Sequence, residues 1–154
     1  MTYRGGAALS WQSDFSQFYL VDSNDPRFEA PVNITEEMQK KRWQRLSTGL
    51  VVYTRDWLMQ VIEIRIFAAP QAADPVEWRT GRAWVQTEIA KAAFPSHMFA
   101  LSSPSKAGLE HYGPIFRTDA PEMTVRLQWM EQTERHDDGV AGPPDVIRLD
   151  LWPA

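Results

Sequence analysis

A chain of 154 residues with 44% hydrophobic and 23% charged side chains has the composition of one globular domain, and this excludes a disordered or fibrous protein. The absence of cysteine excludes disulfides, thiolate zinc sites and a thiol nucleophile, and it suits the cytoplasm. A formal net charge of −4 disfavours direct binding to nucleic acid, which needs a positive surface, and favours basic protein partners.

The N-terminal residues show neither the pattern of an ordered element nor that of a targeting signal. They include a Gly-Gly pair, have no periodicity, and lack the basic start and apolar core of a signal peptide. We therefore expect residues 1–12 to be a flexible lead-in and residues 13–154 to form a single domain. Because Glu63 and Arg65 interrupt the longest apolar stretch, no segment is expected to cross a membrane.

The first predicted strand is followed by the only predicted helix. The aromatic and aliphatic run from Phe15 to Val21 predicts a strand, which ends at a cluster of turn residues. Thr35 is suited to cap a helix that has acidic residues in its first turn and basic residues later. This helix is predicted to run to Leu46, with Gly49 ending it in a left-handed conformation.

The remaining predicted elements are strands in which apolar and polar side chains alternate. The clearest alternation runs from Met123 to Trp129. Residues 131–144 are polar and rich in charge, which predicts a long mobile connection before the last strand. The predicted strands after the helix are 50–54, 58–69, 77–89, 97–102, 123–129 and 145–152.

Strands joined by short turns predict a mainly β fold with antiparallel sheets, because one helix cannot supply the crossovers that a parallel sheet requires. Each half-polar strand must bury its apolar face, and one helix covers too little surface to do so. The sequence therefore predicts an antiparallel β-sandwich of about seven strands, with one α-helix after the first strand. A β-barrel is the second choice.

No arrangement of residues in the sequence is typical of a metal site, a cofactor site or a nucleophile. The three histidines are scattered and lack the spacing of a zinc site. His136 stands beside Asp137 and Asp138, but one flexible acidic pair supplies fewer ligands than Ca²⁺ requires. No glycine-rich phosphate loop precedes a helix. We therefore predict no metal, no cofactor and no catalytic residue.

Two glutamates leave a catalytic alternative open. Glu63 and Glu77 lie on the polar sides of predicted strands, and arginines accompany both of them. Solvated cross-strand pairs are the simpler interpretation, since such pairs contribute only about 0.2–1 kcal/mol each. General acid–base catalysis would require both carboxylates to face one pocket and to lie within about 5–10 Å of each other.

Seven tryptophans are many for a chain of this length. Trp129 lies on an apolar strand face and is predicted to be part of the core. Trp57, in a predicted turn, is harder to place in a core, as are Trp78 and Trp84, which share a strand face with Arg82. Most of the seven are expected in the core, but exposed indoles are typical binding anchors, so a protein interface or a small-ligand or sugar site is the alternative for these three.

Four segments follow one another in a distinctive order. They are the strand 14–21, the helix 35–46 together with the strand 48–52, the strand 61–66 and the last strand 145–150. In this order they resemble the competence protein J family, the small inhibitors of a bacterial DNA-entry nuclease. The resemblance covers about a third of the chain, and residues 70–121 depart from it. It implies a β-sandwich that binds a nuclease and blocks its active site, and it carries over no individual inhibitory residue.

The residues and the resemblance together predict a cytoplasmic, non-catalytic binding protein of the nuclease-inhibitor or immunity type, with a nuclease or toxin as its protein partner. Such a protein needs a rigid scaffold that presents acidic and aromatic side chains to a basic cleft. The candidate partner-binding residues fall in predicted loops or on a polar strand face. They are Trp57, Asp74, Glu77, Asp119, Asp137 and Asp138.

Overall fold

This computed structural model describes residues 2–25, 31, 33–55, 58–104, 113–133 and 143–154, and ten strands lie in these residues. No helix in these residues is long and apolar enough to span a bilayer. In chain order the elements are β1 (Tyr3–Gln12), β2 (Gln17–Asp22), α1 (Glu36–Lys41), β3 (Trp43–Leu46), β4 (Gly49–Tyr53), β5 (Met59–Phe67), β6 (Gln86–Ala93), β7 (Met98–Ser102), β8 (Ile115–Arg117), β9 (Glu122–Met130) and β10 (Val146–Pro153).

The strands form two five-stranded sheets. Sheet I has the order β1-β5-β10-β9-β6, and sheet II has the order β3-β4-β2-β7-β8. Neighbouring strands are antiparallel except for β5 and β10, which run parallel with Ile62 opposite Ile147. The predicted, mainly antiparallel arrangement is therefore confirmed, with this parallel pair as the exception.

The two sheets pack face to face around one apolar core. Sheet I contributes the inward side chains of β5, β9 and β10, including Trp129, and sheet II contributes Phe18, Leu20 and Phe99. The indole of Trp129 donates a hydrogen bond to the carbonyl of Tyr53 at 3.0 Å, which links the two layers. The β-sandwich expected from the sequence is confirmed by this packing.

Three strands are additional to the number of about seven that the alternation predicts. They are β1, β3 and β8. Strand β1 occupies the residues expected to be a flexible lead-in, and it pairs antiparallel with β5 from Tyr3 to Gln12. Small residues make up the middle of β1, so it has no clear apolar alternation, and its conformation depends on pairing with β5.

The helix is shorter than predicted. Thr35 caps it as expected, but Arg42 takes the left-handed conformation, with φ of 66°, that the sequence assigns to Gly49. Trp43 then pairs with Val52, so β3 replaces the last part of the predicted helix. Pairing with the buried strand β4 outweighs the helix propensity of these residues.

Each sheet has a covered outer face. Residues 68–85, here named the cover segment, cross the outer face of sheet I, where the carbonyl of Gln71 accepts a hydrogen bond from Arg126 at 2.7 Å. The strand predicted from Glu77 begins only at Gln86, because the residues before it belong to this segment. On sheet II the covered face is an apolar cluster of Tyr19, Val21, Val51 and Tyr53, against which Met38 and Leu46 pack.

Candidate partner-binding surface

The outer face of sheet I carries charged side chains that strand pairing brings into register. Asp150 lies between Arg65 and Arg126, and in the adjacent row Arg148 lies beside Glu63. Asp150 accepts two hydrogen bonds from Arg65, at 2.6 and 2.7 Å, and one from Arg126 at 2.7 Å. Because Asp150 is fully buried, this face is a desolvated ion network and not the solvated face that the pattern predicts.

The cover segment is held on sheet I by the same arginines. Arg126 donates hydrogen bonds to the carbonyls of Gln71 and Ala72, at 2.7 and 3.3 Å. Arg148 is fully buried and donates to the carboxylate of Asp74 at 2.8 Å. These hydrogen bonds join the segment to the sheet, although Nε of Arg126 and both Nε and Nη2 of Arg148 are buried without a hydrogen-bond partner among the described residues.

Arg79 joins the two glutamates for which a catalytic role was open. Its Nη1 atom donates to Glu63 at 2.8 Å and to Glu77 at 3.1 Å. Burial acts to raise the pKa of Glu77, but hydrogen bonds from the backbone of Arg79 and Thr80 outweigh it, so the pKa is lowered overall. Glu77 is thereby held as an ionised acceptor, which suits a structural anchor better than a proton donor.

A cleft of about 280 Å³ opens at one end of the sandwich. We name this the Phe15 end, because β1, β4 and β9 finish there and β2, β5 and β10 begin there. The walls come from the β1–β2 connection, the region of α1 and the residues after β4. They include Phe15, Ile34, Arg42, Tyr53 and Arg55.

Phe15 is the most exposed large apolar side chain of the described residues, with 80% of its surface accessible. Its backbone is left-handed, with φ of 53° and ψ of 31°, and Ser16 follows with φ of 57°. Residues other than glycine adopt this region at a cost of about 1–2 kcal/mol each. The amide of Thr54 donates to the carbonyl of Ser16 at 2.8 Å and helps to hold the turn. A strained backbone that presents a phenyl ring to solvent indicates a binding role.

Two arginines of the cleft are anchored to the base of the β9–β10 connection. Arg42 donates to Glu131 at 2.6 Å, and Arg55 binds both carboxylate oxygens of Asp145, at 2.9 and 3.1 Å. Arg55 also donates to the carbonyl of Gln132 at 2.8 Å. Arginines held rigidly beside an exposed aromatic ring have the chemistry that is enriched at the centres of protein interfaces.

The predicted partner-binding residues that the structure describes do not form one surface. Asp74 lies half-exposed on the cover segment. Asp119 lies at the end of the sandwich opposite the Phe15 end and pairs with Arg4 at 2.9 Å. Glu77 is fully buried, so its expected place on a polar strand face is corrected, because the cover segment folds it inward. Trp57, Asp137 and Asp138 lie outside the described residues.

The tryptophans that the sequence left unassigned have different environments. Trp78 is 67% exposed on the cover segment, and the guanidinium of Arg79 lies 4.5 Å from the centre of its ring. Trp84 is half-buried, and its indole donates to the carbonyl of Asp74 at 3.0 Å. Trp78 is thus the exposed indole for which the ligand-binding alternative stays a prediction.

Metal-ligating side chains are not gathered at the cleft. Within the described ranges, no three His, Asp or Glu side chains are grouped so that they would hold a metal ion. His97 is exposed in the turn before β7. His136, which the sequence places beside two aspartates, lies outside the described residues.

The sequence did not indicate the residues that form the cleft. Phe15 begins the run that predicts a strand, and Arg42 belongs to the predicted helix. Arg55 falls in a predicted turn without a feature that singles it out. These residues meet only because strand pairing brings three connections to the same end, and no local pattern reports such a meeting.

The fold defined by these elements is a two-sheet β-sandwich with a cover segment on one face and a short helix on the other. No protein-family model matches the chain, and no curated protein sequence matches it. The likeness of the chain to known proteins is therefore one of three-dimensional structure.

Among solved structures, the chain is similar to ComJ from Bacillus subtilis, an inhibitor of the DNA degrading activity of NucA. The TM-score is 0.70 at 9% sequence identity, and the match covers 100% of both chains. The chain is also similar to the product of crocagin biosynthetic gene J, with a TM-score of 0.53, 14% identity and 99% of each chain covered. At these identities the likeness shows a shared fold, and at that level it confirms the resemblance to the competence protein J family.

Proposed function

We propose that this protein is a non-catalytic inhibitor that binds a nuclease and blocks its active site. The observation that carries the proposal is the likeness to ComJ, an inhibitor of a DNA-degrading activity, with a TM-score of 0.70. The match covers 100% of both chains, so the scaffold that ComJ uses has its counterpart here over the whole length. Because so distant a likeness shows the fold alone, the contact surface must be argued from this chain's own residues.

The proposed contact surface is the cleft at the Phe15 end. An inhibitor gains most of its affinity from a few aromatic and arginine side chains on a rigid support. Phe15 projects from a hydrogen-bonded turn, and Arg42 and Arg55 are each tied to a carboxylate. Because the two arginine side chains and the backbone of the turn are already held, little of their conformational entropy is lost when the partner binds.

Three of the predicted contact residues belong to connections whose described ends meet at this cleft. Trp57 follows Arg55 in the chain, and Arg55 donates a hydrogen bond to the carbonyl of Gln132 at 2.8 Å. Gln132 stands at the start of the connection that contains Asp137 and Asp138. These two aspartates are proposed to face a basic surface of the nuclease, where opposite charge speeds association.

The test is a titration against the DNA-degrading nuclease encoded nearest to the gene for this protein. Nuclease activity on fluorogenic double-stranded DNA is expected to fall in proportion to added protein and to vanish near one equivalent. Phe15→Ala is expected to weaken the Kd roughly 30-fold, about 2 kcal/mol, as for a central aromatic anchor. Ile89→Ala is the matched control, since Ile89 is 56% exposed on β6, and this change should leave the Kd unaltered.

Each possible result distinguishes a part of the proposal. Full nuclease activity in a molar excess of the protein would contradict the inhibitor role. Inhibition that Phe15→Ala and Ile89→Ala weaken equally would keep the role but remove the contact from the Phe15 end. A gel shift of DNA by this protein alone would indicate competition for the substrate instead of binding to the nuclease.

A further inference from the structure

The four edge strands differ in their protection against pairing with another chain. In sheet II the edges are short, with four residues in β3 and three in β8. In sheet I, β6 carries Glu88 and Lys91, and its Gln86 donates to the carbonyl of Lys40 at 2.8 Å. The opposite edge strand, β1, has ten residues, of which Arg4 alone is charged. Short length, charge and β-bulges are the usual protection of an edge; β1 has a bulge between Tyr3 and Gly5, and from Gly5 to Gln12 it has none of these.

One edge of β1 has no partner among the strands that the structure describes. Among the described strands, β1 pairs with β5 alone. Its outward residues Gly6, Ala8 and Ser10 are exposed, and the core-facing Ala7 and Leu9 are only half-buried. Core-facing side chains become fully buried when a further strand lies alongside, so the partial exposure of these two residues agrees with the lack of a further described strand at this edge.

Small side chains also open a groove beside β1. A cavity of about 320 Å³ lies on the outer face of sheet I, with Gly6 and Ala8 on one side and Tyr3, Phe67 and Arg79 around it. A strand added at the edge of β1 would direct every second side chain to this outer face. The groove therefore provides room for side chains of such a strand.

We propose that β1 pairs antiparallel with β1 of a second copy of this chain, with the two Ala8 residues opposite each other at a two-fold axis. The two copies of sheet I then form one continuous sheet. In this register Gly6 of one copy faces Ser10 of the other and Ala7 faces Leu9, while Arg4 lies at the irregularity between Tyr3 and Gly5 and stays paired with Asp119. The pairing places no like charges opposite each other and no bulky side chain at its centre.

A second copy suits this edge because a two-fold interface uses the same strand once in each copy and closes as a dimer. Pairing would give hydrogen-bond partners to the backbone N–H and C=O groups of β1 that point away from β5, in both copies at the same time. The outward Ser10 and Gln12 of each copy are then directed toward the groove of the other. Polar groups of Glu63 and Arg79 line that groove and are suited to bind these side chains.

The test is cysteine crosslinking, which is clean because the chain has no cysteine of its own. Ala8→Cys places two thiols opposite each other with Cβ atoms about 4.5–5.5 Å apart, close to the reach of a disulfide. Oxidation is expected to give a covalent dimer on a non-reducing gel. Ser10→Cys is the matched control on the same strand face, because its two thiols lie about 13 Å apart in this register and should not join.

A second measurement separates the proposal from a variant that misfolds. Light scattering of the unmodified protein at about 100 μM, where a micromolar dimer is populated, is expected to give twice the mass of one chain. Ala8→Lys alone should be monomeric. An equal mixture of Ala8→Lys and Ala8→Glu should recover the dimer, because opposite charges then meet at the axis.

Several results would overturn the proposal. These are a monomer at that concentration, equal crosslinking of Ala8→Cys and Ser10→Cys, or a mixture of the charged variants that stays monomeric. Protection of the β1 amides from hydrogen exchange only when a nuclease is added would assign the edge to a partner protein instead. The crosslinking and scattering assays contain no nuclease, so their outcome is independent of the inhibitor role.

Discussion

The outer faces of the two sheets are covered by different chemistry. On sheet I, buried Asp150 joins Arg65 and Arg126 in an ion network that also holds the cover segment. On sheet II, fully buried Val51 belongs to an apolar cluster against which Met38 packs from α1. A strand face with alternating charges therefore need not be a solvent face, because charges that meet their opposites in register can be buried together.

Substitutions in the two coverings are expected to lower the free energy of unfolding by different mechanisms. When one member of a buried ion network is removed, its partners are left unpaired in a low-dielectric layer, so the loss is large for a single residue. When an apolar cluster loses a few methyl groups, the loss follows the contact area and the cavity that remains. Single substitutions are therefore expected to have larger effects on sheet I than on sheet II.

The largest effect is expected for Asp150→Ala on sheet I. The change removes the acceptor of three hydrogen bonds from Arg65 and Arg126, and Arg126 keeps only 6% of its side chain exposed. The expected loss is about 3–5 kcal/mol in the free energy of unfolding, measured by urea denaturation. A loss below about 1 kcal/mol would mean that the arginines rehydrate freely, and it would remove the contrast between the two faces.

A smaller loss is expected for Val51→Ala in the apolar cluster on sheet II. Val51 is fully buried, and the change removes two methyl groups from the apolar cluster. The expected loss is about 2 kcal/mol in the same urea assay. Val76→Ala on the cover segment is the control, since Val76 is 37% exposed and its change should fall within about 0.5 kcal/mol. A Val51→Ala loss equal to that of Asp150→Ala would contradict the comparison.

On sheet I, the loss of stability caused by Glu77→Gln is expected to depend on pH, which a loss in the apolar cluster would not. The pKa of Glu77 is lowered from its ordinary value of 4.5, so ionised Glu77 adds stability above pH 4.5, and this is lost as pH falls through the folded-state pKa. We expect the wild-type protein to be more stable than Glu77→Gln near neutral pH. Unfolding measured between pH 7 and about 3 should show the difference narrowing below pH 4.5. A difference independent of pH would show that the charge of Glu77 has no role.

The smallest effect is expected for Asp119→Ala. Its ion pair with Arg4 is exposed, with 47% and 56% of the two side chains accessible. Exposed pairs of this kind are screened by water and salt, so the free energy of unfolding should change by less than about 0.5 kcal/mol. A loss comparable with that of Asp150→Ala, measured in the same buffer, would show that burial does not decide the strength of ion pairs in this protein.

The strands with one buried face were the most predictable part of the fold. The predicted segments 58–69, 123–129 and 145–152 correspond to β5, β9 and β10, where isoleucine, leucine and valine alternate with polar residues. Strand β1 was missed because its glycines and alanines show no alternation, and β3 was missed because its residues continue a good helix pattern. Both strands exist through pairing with neighbours that a local pattern does not report.

The candidate surface was less predictable than the fold. Phe15 was assigned to a strand, and Glu77 was expected to be a contact residue although it is buried beneath the cover segment. Arg42 and Arg55 carry no sequence feature that distinguishes them from the other arginines. Their role in the cleft depends on partners such as Glu131 and Asp145, which are about 90 positions away in the chain.

By itself, the sequence determined a two-layer β protein, because side chains that alternate with a period of two force each strand to bury one face. Only the tertiary structure decided that β5 and β10 lie side by side, that the charges of sheet I neutralise one another, and that Phe15 projects into solvent. These features arise from contacts between residues far apart in the chain, and the register of those contacts depends on the whole packed sandwich.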